Sequence, residues 1–209
     1  MDFEEIWENR IIMKRMLIFL LFFSSKEMLS AQKGFGECIM ASLMNVDSTV
    51  KDTIYNSRNW KDCVMEQPVP DIEFKTISGK TFQMKNLEGK VVVLNFWFTA
   101  CVPCIREIPA LNRLVKEYKN KEVMFFGITY DNLKTLKSEF LPKYRFDFDI
   151  VSDSKSITEM FSAGYPTTYI IDKNGIVKAV WSGGFIGKEA ETDIYLKAKP
   201  VIDKLLLKN

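Results

Sequence analysis

The sequence predicts an α/β fold in which a largely parallel sheet is covered by helices. Two near-continuous apolar runs, VVVLNFW (91–97) and VMFFGIT (123–129), have the composition of strands buried on both faces. Between them lies a stretch with apolar residues at three- and four-residue steps, so strand, helix and strand follow one another within about forty residues. The composition, 47% apolar and 27% charged over 209 residues, suits one domain with a substantial core and some extra terminal sequence.

Taken in order, the chain opens with MDFEEIWENR, which is acidic. Met13-Lys14-Arg15 follows, then MLIFLLFF (16–23) and a polar segment ending Leu29-Ser30-Ala31. A charged start, a short apolar run and a small residue at the cut make residues 1–31 an expected export leader, with Met13 a candidate true start. The run is too short to span a bilayer as a helix. Residues 32–66 form an irregular or helical extension carrying Cys38 and Cys63. Pro68-Val69-Pro70 then breaks any helix and marks the start of a domain over 67–209.

Within that domain, IEFKTI (72–77), Ser78-Gly79-Lys80 and TFQM (81–84) spell strand, turn and strand, an N-terminal β-hairpin. Residues 91–97 are the expected central strand. The following helix presents Ile105, Ile108, Leu111, Leu114, Val115 and Tyr118 on one face. A strand at 123–129, a helix over 132–143, a short strand at 147–151 and a short helix at 156–161 come next. TTYIID (167–172) and IVKAVW (176–181) pair across the Lys173-Asn174-Gly175 turn. A closing helix over roughly 187–208 has apolar positions Ile194, Leu196, Val201, Leu205 and Leu206, with Pro200 bending it or starting its last part.

Composition removes several kinds of chemistry. The 29 basic and 27 acidic side chains leave a net charge of +2 with no basic block, so no nucleic-acid partner is expected. The chain has no histidine, which excludes Ser/His/Asp and Cys/His catalysis and His-ligated zinc. Acid–base work falls to carboxylates, lysines or thiols.

The thiols stand out. WFTACVPC (97–104) places Cys101 and Cys104 between a buried strand and a helix, the setting of a redox pair. At the first turn of a helix Cys101 meets unpaired N–H groups and the positive end of the helix dipole, which favour thiolate, so it is the expected exposed nucleophile. Cys104, one turn on, is the expected resolving thiol. Pro103 suits a first turn, where a missing N–H costs nothing.

These residues resemble the thioredoxin superfamily, and within it the exported TlpA/ResA-like branch, over roughly residues 66–209. Trp97 stands four before Cys101 and Pro109 five after Cys104. Gly164-Tyr165-Pro166-Thr167 is similar to the superfamily's cis-proline loop. The resemblance implies a thioredoxin fold, a central mixed sheet flanked by helices, and thiol:disulfide oxidoreductase activity, reductive in direction. It implies no organic cofactor and no metal. Clients would be disulfide-containing exported proteins, apocytochromes c among them, with electrons from a membrane donor and the chain acting as a monomer. It carries Glu107, three residues past Cys104, over as an active-site carboxylate able to relay the Cys104 proton, and Trp97, Tyr165, Pro166 and Thr167 as substrate contacts. Two departures stand in the sequence: Ala100 where relatives often have tryptophan, and Asn95 where ordinary thioredoxins keep a buried acid.

Three other functions fit the thiols less well. A four-thiolate zinc site would need Cys38 and Cys63, which lie 25 apart and not in a paired knuckle, and Cu(I) binding or redox sensing would rest on the Cys101/Cys104 thiols alone. A thioredoxin-like peroxidase would need a proline and a threonine at fixed steps before the reactive cysteine, where Leu94 and Phe98 stand. A passive staple across two residues would restrain the unfolded chain very little. In an oxidising compartment Cys38 and Cys63 could pair, closing a loop whose effect is on the order of 3 kcal/mol, or stay free.

Overall fold

The computed structural model describes residues 35–39, 60–161 and 164–207. The expected leader over 1–31 lies outside them, as does much of the extension. Two short helices of the extension are described, α1 (35–39) and α2 (60–64). Strands β1 (Glu73–Lys75) and β2 (Thr81–Gln83) form the expected antiparallel hairpin. A five-stranded sheet follows from β3 (Val91–Phe96), β4 (Val123–Ile128), β5 (Asp149–Val151), β6 (Thr167–Ile171) and β7 (Val177–Ser182). Its order is β5-β4-β3-β6-β7, with β3–β4 and β4–β5 parallel and β3–β6 and β6–β7 antiparallel. The sheet is therefore mixed with β3 at its centre, as expected.

Helix α3 (Val102–Glu117) returns the chain from β3 to β4. The helix expected over 132–143 is α4 (Leu133–Thr135) running into a π turn (Leu136–Phe140), and α5 (Lys155–Phe161) precedes β6. The closing helix differs from expectation at its start: a 3₁₀ turn (Lys188–Glu191) comes first, and α6 spans Asp193–Leu207 with Pro200 inside it. Its buried face is Ile194, Tyr195, Ala198, Ile202 and Leu205. Leu196, one of the helix's apolar positions, is 66% exposed. The face is set by Tyr195 and Ala198 packing on α3, which rotates Leu196 outward.

Two apolar layers sandwich the sheet. Val91, Val93 and Trp97 face α3 and α6, with Leu111, Leu114, Phe125 and Ile202. Val92, Leu94 and Phe96 face the other way, onto Phe74 of the hairpin, Phe161 of α5 and the extension's Phe35, Ile39, Trp60 and Val64. The two-residue period of a strand accounts for the split. α6 is clamped to α3 by polar groups as well. The Tyr118 hydroxyl donates to Asp203 Oδ1 (2.8 Å), and Lys199 Nζ lies 2.6 Å from Glu117 and 2.7 Å from Asp203. No helix among the described residues is long and apolar enough to cross a membrane.

Gly127, opposite Asn95 in the β3–β4 pairing, makes room for an aromatic layer. A Cβ there would lie 3.1 Å from both Phe146 Cε1 and Trp97 Nε1. Gly127→Ala is expected to destabilise the domain by about 1–3 kcal/mol through overpacking, read as a lower urea midpoint at unchanged slope. An unchanged midpoint would show that the rings move aside freely.

Candidate active site

At the C-terminal end of β3 the chain turns through residues 97–101 into α3. The turn is held on both sides: the Thr99 amide donates to Asp131 Oδ2 (2.6 Å) and the Cys101 amide to the Phe98 carbonyl (3.1 Å). Cys101 is the N-cap of α3, in an extended conformation, and its sulfur accepts the Cys104 N–H at 3.3 Å. Pro103 falls in the first helical turn, where an absent N–H leaves nothing unpaired. Cys101 and Cys104 are joined as a disulfide with Cα atoms 5.2 Å apart. Once that bond is reduced, the same amide and the helix dipole act on the Cys101 sulfur and favour its thiolate. In the disulfide form Cys101 is only 5% exposed, which corrects the expectation of an exposed sulfur.

Glu107 lies one turn beyond Cys104 on the buried face of α3 and is 6% exposed. Asn95, on the same side of β3 as Val93, donates from Nδ2 to Glu107 Oε1 (2.8 Å) and to Thr168 Oγ1 (3.0 Å). A buried carboxyl is thus tied to the two central strands through one amide. Burial pushes the Glu107 carboxyl up from the ordinary carboxylate range to about 8. The Asn95 hydrogen bond opposes that rise, Asp193 of α6 adds to it and Lys197 subtracts from it. A group at about 8 lies close to the ordinary thiol value.

The Tyr165–Pro166 peptide is cis. Its loop lies against the thiol turn: a Cβ on Gly184 would be 3.0 Å from Pro166 Cγ and 3.2 Å from Pro103 Cβ, so one glycine touches both proline rings. The Gly183 amide donates to the Pro166 carbonyl (2.8 Å). Tyr165 is half-buried and stacks edge-on to Phe98 (5.2 Å) and to Tyr130 (5.9 Å), making an aromatic edge to the site. Val102, Phe185 and Ile186 are exposed apolar residues, and Ala100 is exposed between Thr99 and Cys101.

Two of the residues expected to contact substrate lie inside the protein. Trp97 is 1% exposed and packed on Phe140 (4.7 Å) and Phe146 (5.3 Å), so its ring is core packing in the same cluster as the thiols. Its Nε1 is a buried donor with no partner among the described residues. Thr167 is fully buried, and its hydroxyl bonds to the Gly164 carbonyl (2.7 Å) and Ser182 Oγ (2.9 Å), which holds the loop rather than a client. Tyr165 is half-buried and Pro166 is buried.

Sequence reasoning missed Asn95 as the partner of Glu107, Thr168 as the second acceptor of Asn95, and Asp131 as the anchor of the turn. One sign was present: an asparagine inside an apolar strand must find a polar partner in the core.

The AhpC/TSA family profile matches residues 65–180. Among curated proteins, the chain is 34% identical over 134 residues to the thioredoxin-like protein YneN of Bacillus subtilis, covering 62% of this chain and 78% of that one. It is 33% identical over 124 residues to the thiol-disulfide oxidoreductase ResA of Geobacillus kaustophilus, covering 58% and 71%. Among solved structures, a thiol:disulfide interchange protein of the thioredoxin family from Chlorobium tepidum superposes with a TM-score of 0.54 at 24% identity, covering 66% of this chain and 95% of that one, a likeness of fold.

Two outcomes follow from this geometry. The Glu107 carboxyl binds its proton more tightly in the folded chain than in the unfolded one, so its favourable contribution is complete below the unfolded value of 4.5 and is lost as pH rises through about 8. Glu107→Gln keeps an acceptor for Asn95 and removes the titration. It should therefore gain on the native protein between pH 5 and 9, by on the order of a few kcal/mol at the alkaline end; parallel denaturation curves across that range would refute the buried carboxyl. Gly184→Val should wedge Pro166 from Pro103 and lower kcat/KM for disulfide exchange by about tenfold or more, with far-UV circular dichroism unchanged. An unaltered kcat/KM would show that this contact does not position the site.

Proposed function

The chain belongs to the AhpC/TSA family and is a thiol:disulfide oxidoreductase, and from that premise we propose that it reduces disulfides of exported proteins through a Cys101/Cys104 couple. The observation that carries the assignment of the couple is the Cys101–Cys104 disulfide at the N-terminus of α3, with the Cys101 sulfur receiving a backbone N–H.

In this reading the reduced protein attacks with the Cys101 thiolate. A Cys101–client bond forms as the client disulfide breaks, and the electron pair leaves on the client's other sulfur. Cys104 then gives its proton to the Glu107 carboxylate and attacks the Cys101 sulfur. The Cys101–Cys104 bond forms and the second client sulfur departs as a thiolate. Two electrons have moved from the dithiol to the client. Re-reduction by a donor dithiol runs the sequence backwards, with Glu107 returning the proton to Cys104. Tyr165 and Pro166 form the side of the site along which the client chain lies.

Residues 67–209 are proposed as the catalytic domain, 32–66 as an extension and 1–31 as an export leader. The leader pattern around residues 13–31 supports an extracytoplasmic location, as do two cysteine pairs placed as disulfides. Apocytochromes c are proposed clients and a membrane protein the proposed electron donor, with the chain acting as a monomer. The peroxidase alternative finds less support: Leu94 is buried in β3 and Phe98 is stacked among Tyr130 and Tyr165, where peroxide chemistry needs polar groups.

The deciding measurement is the equilibrium potential of the 101/104 couple in a dithiothreitol buffer. A reductase is expected at or below about −270 mV, and a value near about −120 mV would reverse the direction. In the same system Cys104→Ser should accumulate the Cys101–client mixed disulfide, and Cys101→Ser should form none; a trapped adduct on Cys104 instead would exchange their roles.

A further inference from the structure

The chain's other disulfide joins Cys38 of α1 to Cys63 of α2, with Cα atoms 5.7 Å apart. It is asymmetric in its surroundings. Cys38 is 6% exposed and packed in the apolar layer with Phe35, Ile39 and Val64. Cys63 is exposed, the only one of the four cysteines that is. We propose that Cys38–Cys63 is a second thiol-exchange site, entered at Cys63 by a small thiol or a thiol-bearing protein, and that its opening unlatches α1 from the core.

Exchange requires a thiolate to reach a disulfide sulfur, and access decides which of the two is attacked. At Cys38 the approach is closed by the apolar layer. At Cys63 it is open. An incoming thiolate bonds to the Cys63 sulfur as the Cys63–Cys38 bond breaks, and the electron pair leaves on the Cys38 sulfur, which takes a proton from water. A second thiolate bonds to the first thiol's sulfur in the mixed disulfide as the bond from that sulfur to Cys63 breaks; the electron pair leaves on Cys63, which takes a proton from water, and the two thiols depart as their own disulfide. Two electrons pass from the thiol pair to the protein. Exposed disulfides are, as a class, the labile ones.

The consequence differs for the two helices. The chain just after α2 is held independently of the disulfide, through the Glu66 amide to the Val177 carbonyl (2.9 Å) and the Val177 amide to the Gln67 carbonyl (3.0 Å). The contacts of α1 with the core include ring contacts: Phe35 lies 5.0 Å from Phe161 and 6.0 Å from Tyr169. Those two rings flank the loop bearing Pro166, Phe161 ending α5 and Tyr169 standing in β6. Opening the bond removes the covalent tie that keeps α1 over them.

The test uses the full chain as a Cys101→Ser/Cys104→Ser variant, so that Cys38–Cys63 is its one disulfide. The oxidised protein is treated with reduced glutathione, quenched in acid, alkylated and mapped by mass spectrometry, with near-UV circular dichroism recorded throughout. The expected result is glutathione on Cys63 in at least about tenfold excess over Cys38, in protein that keeps its native spectrum. Equal or greater labelling of Cys38, or no adduct on native protein, overturns the exchange site. Amide exchange after full reduction is then expected to rise over 35–39 and at Phe161 while β3 stays protected; unchanged exchange over 35–39 overturns the latch. Should the serine variant not fold, the wild-type chain is mapped in the same way, with the Cys63-to-Cys38 ratio as the readout.

Discussion

β3 is paired on both edges and packed on both faces, so every residue from Val91 to Phe96 has a single place to go. The alternation of the strand then does the rest. Val92, Leu94 and Phe96 serve one layer, Val91 and Val93 the other, and Asn95 necessarily points toward α3. Because the strand ends beside the N-terminus of α3, the same register that buries the core delivers Cys101 to the converging amides of the first helical turn. A slip of one residue would send Asn95 into the aromatic layer and the apolar side chains toward Glu107.

The buried carboxyl is costly to ionise, and the surroundings of Glu107 set its protonation in opposing directions. Desolvation favours the neutral acid, and the Asn95 amide favours the anion. The outcome falls close to the ordinary thiol range. An asparagine serves this arrangement better than an acid at position 95 would. A second carboxyl 2.8 Å from the first could not ionise beside it, whereas the amide donates to both Glu107 and Thr168.

On the far side of the sheet the aromatic side chains form a continuous set. Phe96 stacks on Phe161 (5.4 Å), Phe35 meets Phe161, and Trp60 approaches Tyr169 (6.3 Å). The described parts of the extension, α1 and α2, are thereby part of the core, with the Cys38–Cys63 bond joining them. The hairpin belongs to the same layer through Phe74 and Phe126 (4.9 Å). Both proline rings at the site, Pro103 and Pro166, meet across Gly184, so the thiol turn and the cis-proline loop move as neighbours.

The sequence by itself determined what depends on neighbours in the chain. The strands, the βαβ crossover, the closing hairpin and the placement of Cys101 at a helix start could all be read, because periodicity, turn residues and capping act over a few positions. Leu196 turns outward on α6 although it is apolar, since spacing alone cannot say which side a helix turns to its partner. Trp97 and Thr167 were expected to meet a client, yet both are spent inside the protein, on an aromatic layer and a loop anchor. Only the tertiary structure decided those surroundings, the Glu107–Asn95–Thr168 bridge and the pairing of Cys38 with Cys63. Each is a contact between residues 12 to 73 positions apart, and which distant groups meet is settled by packing, which no local pattern records.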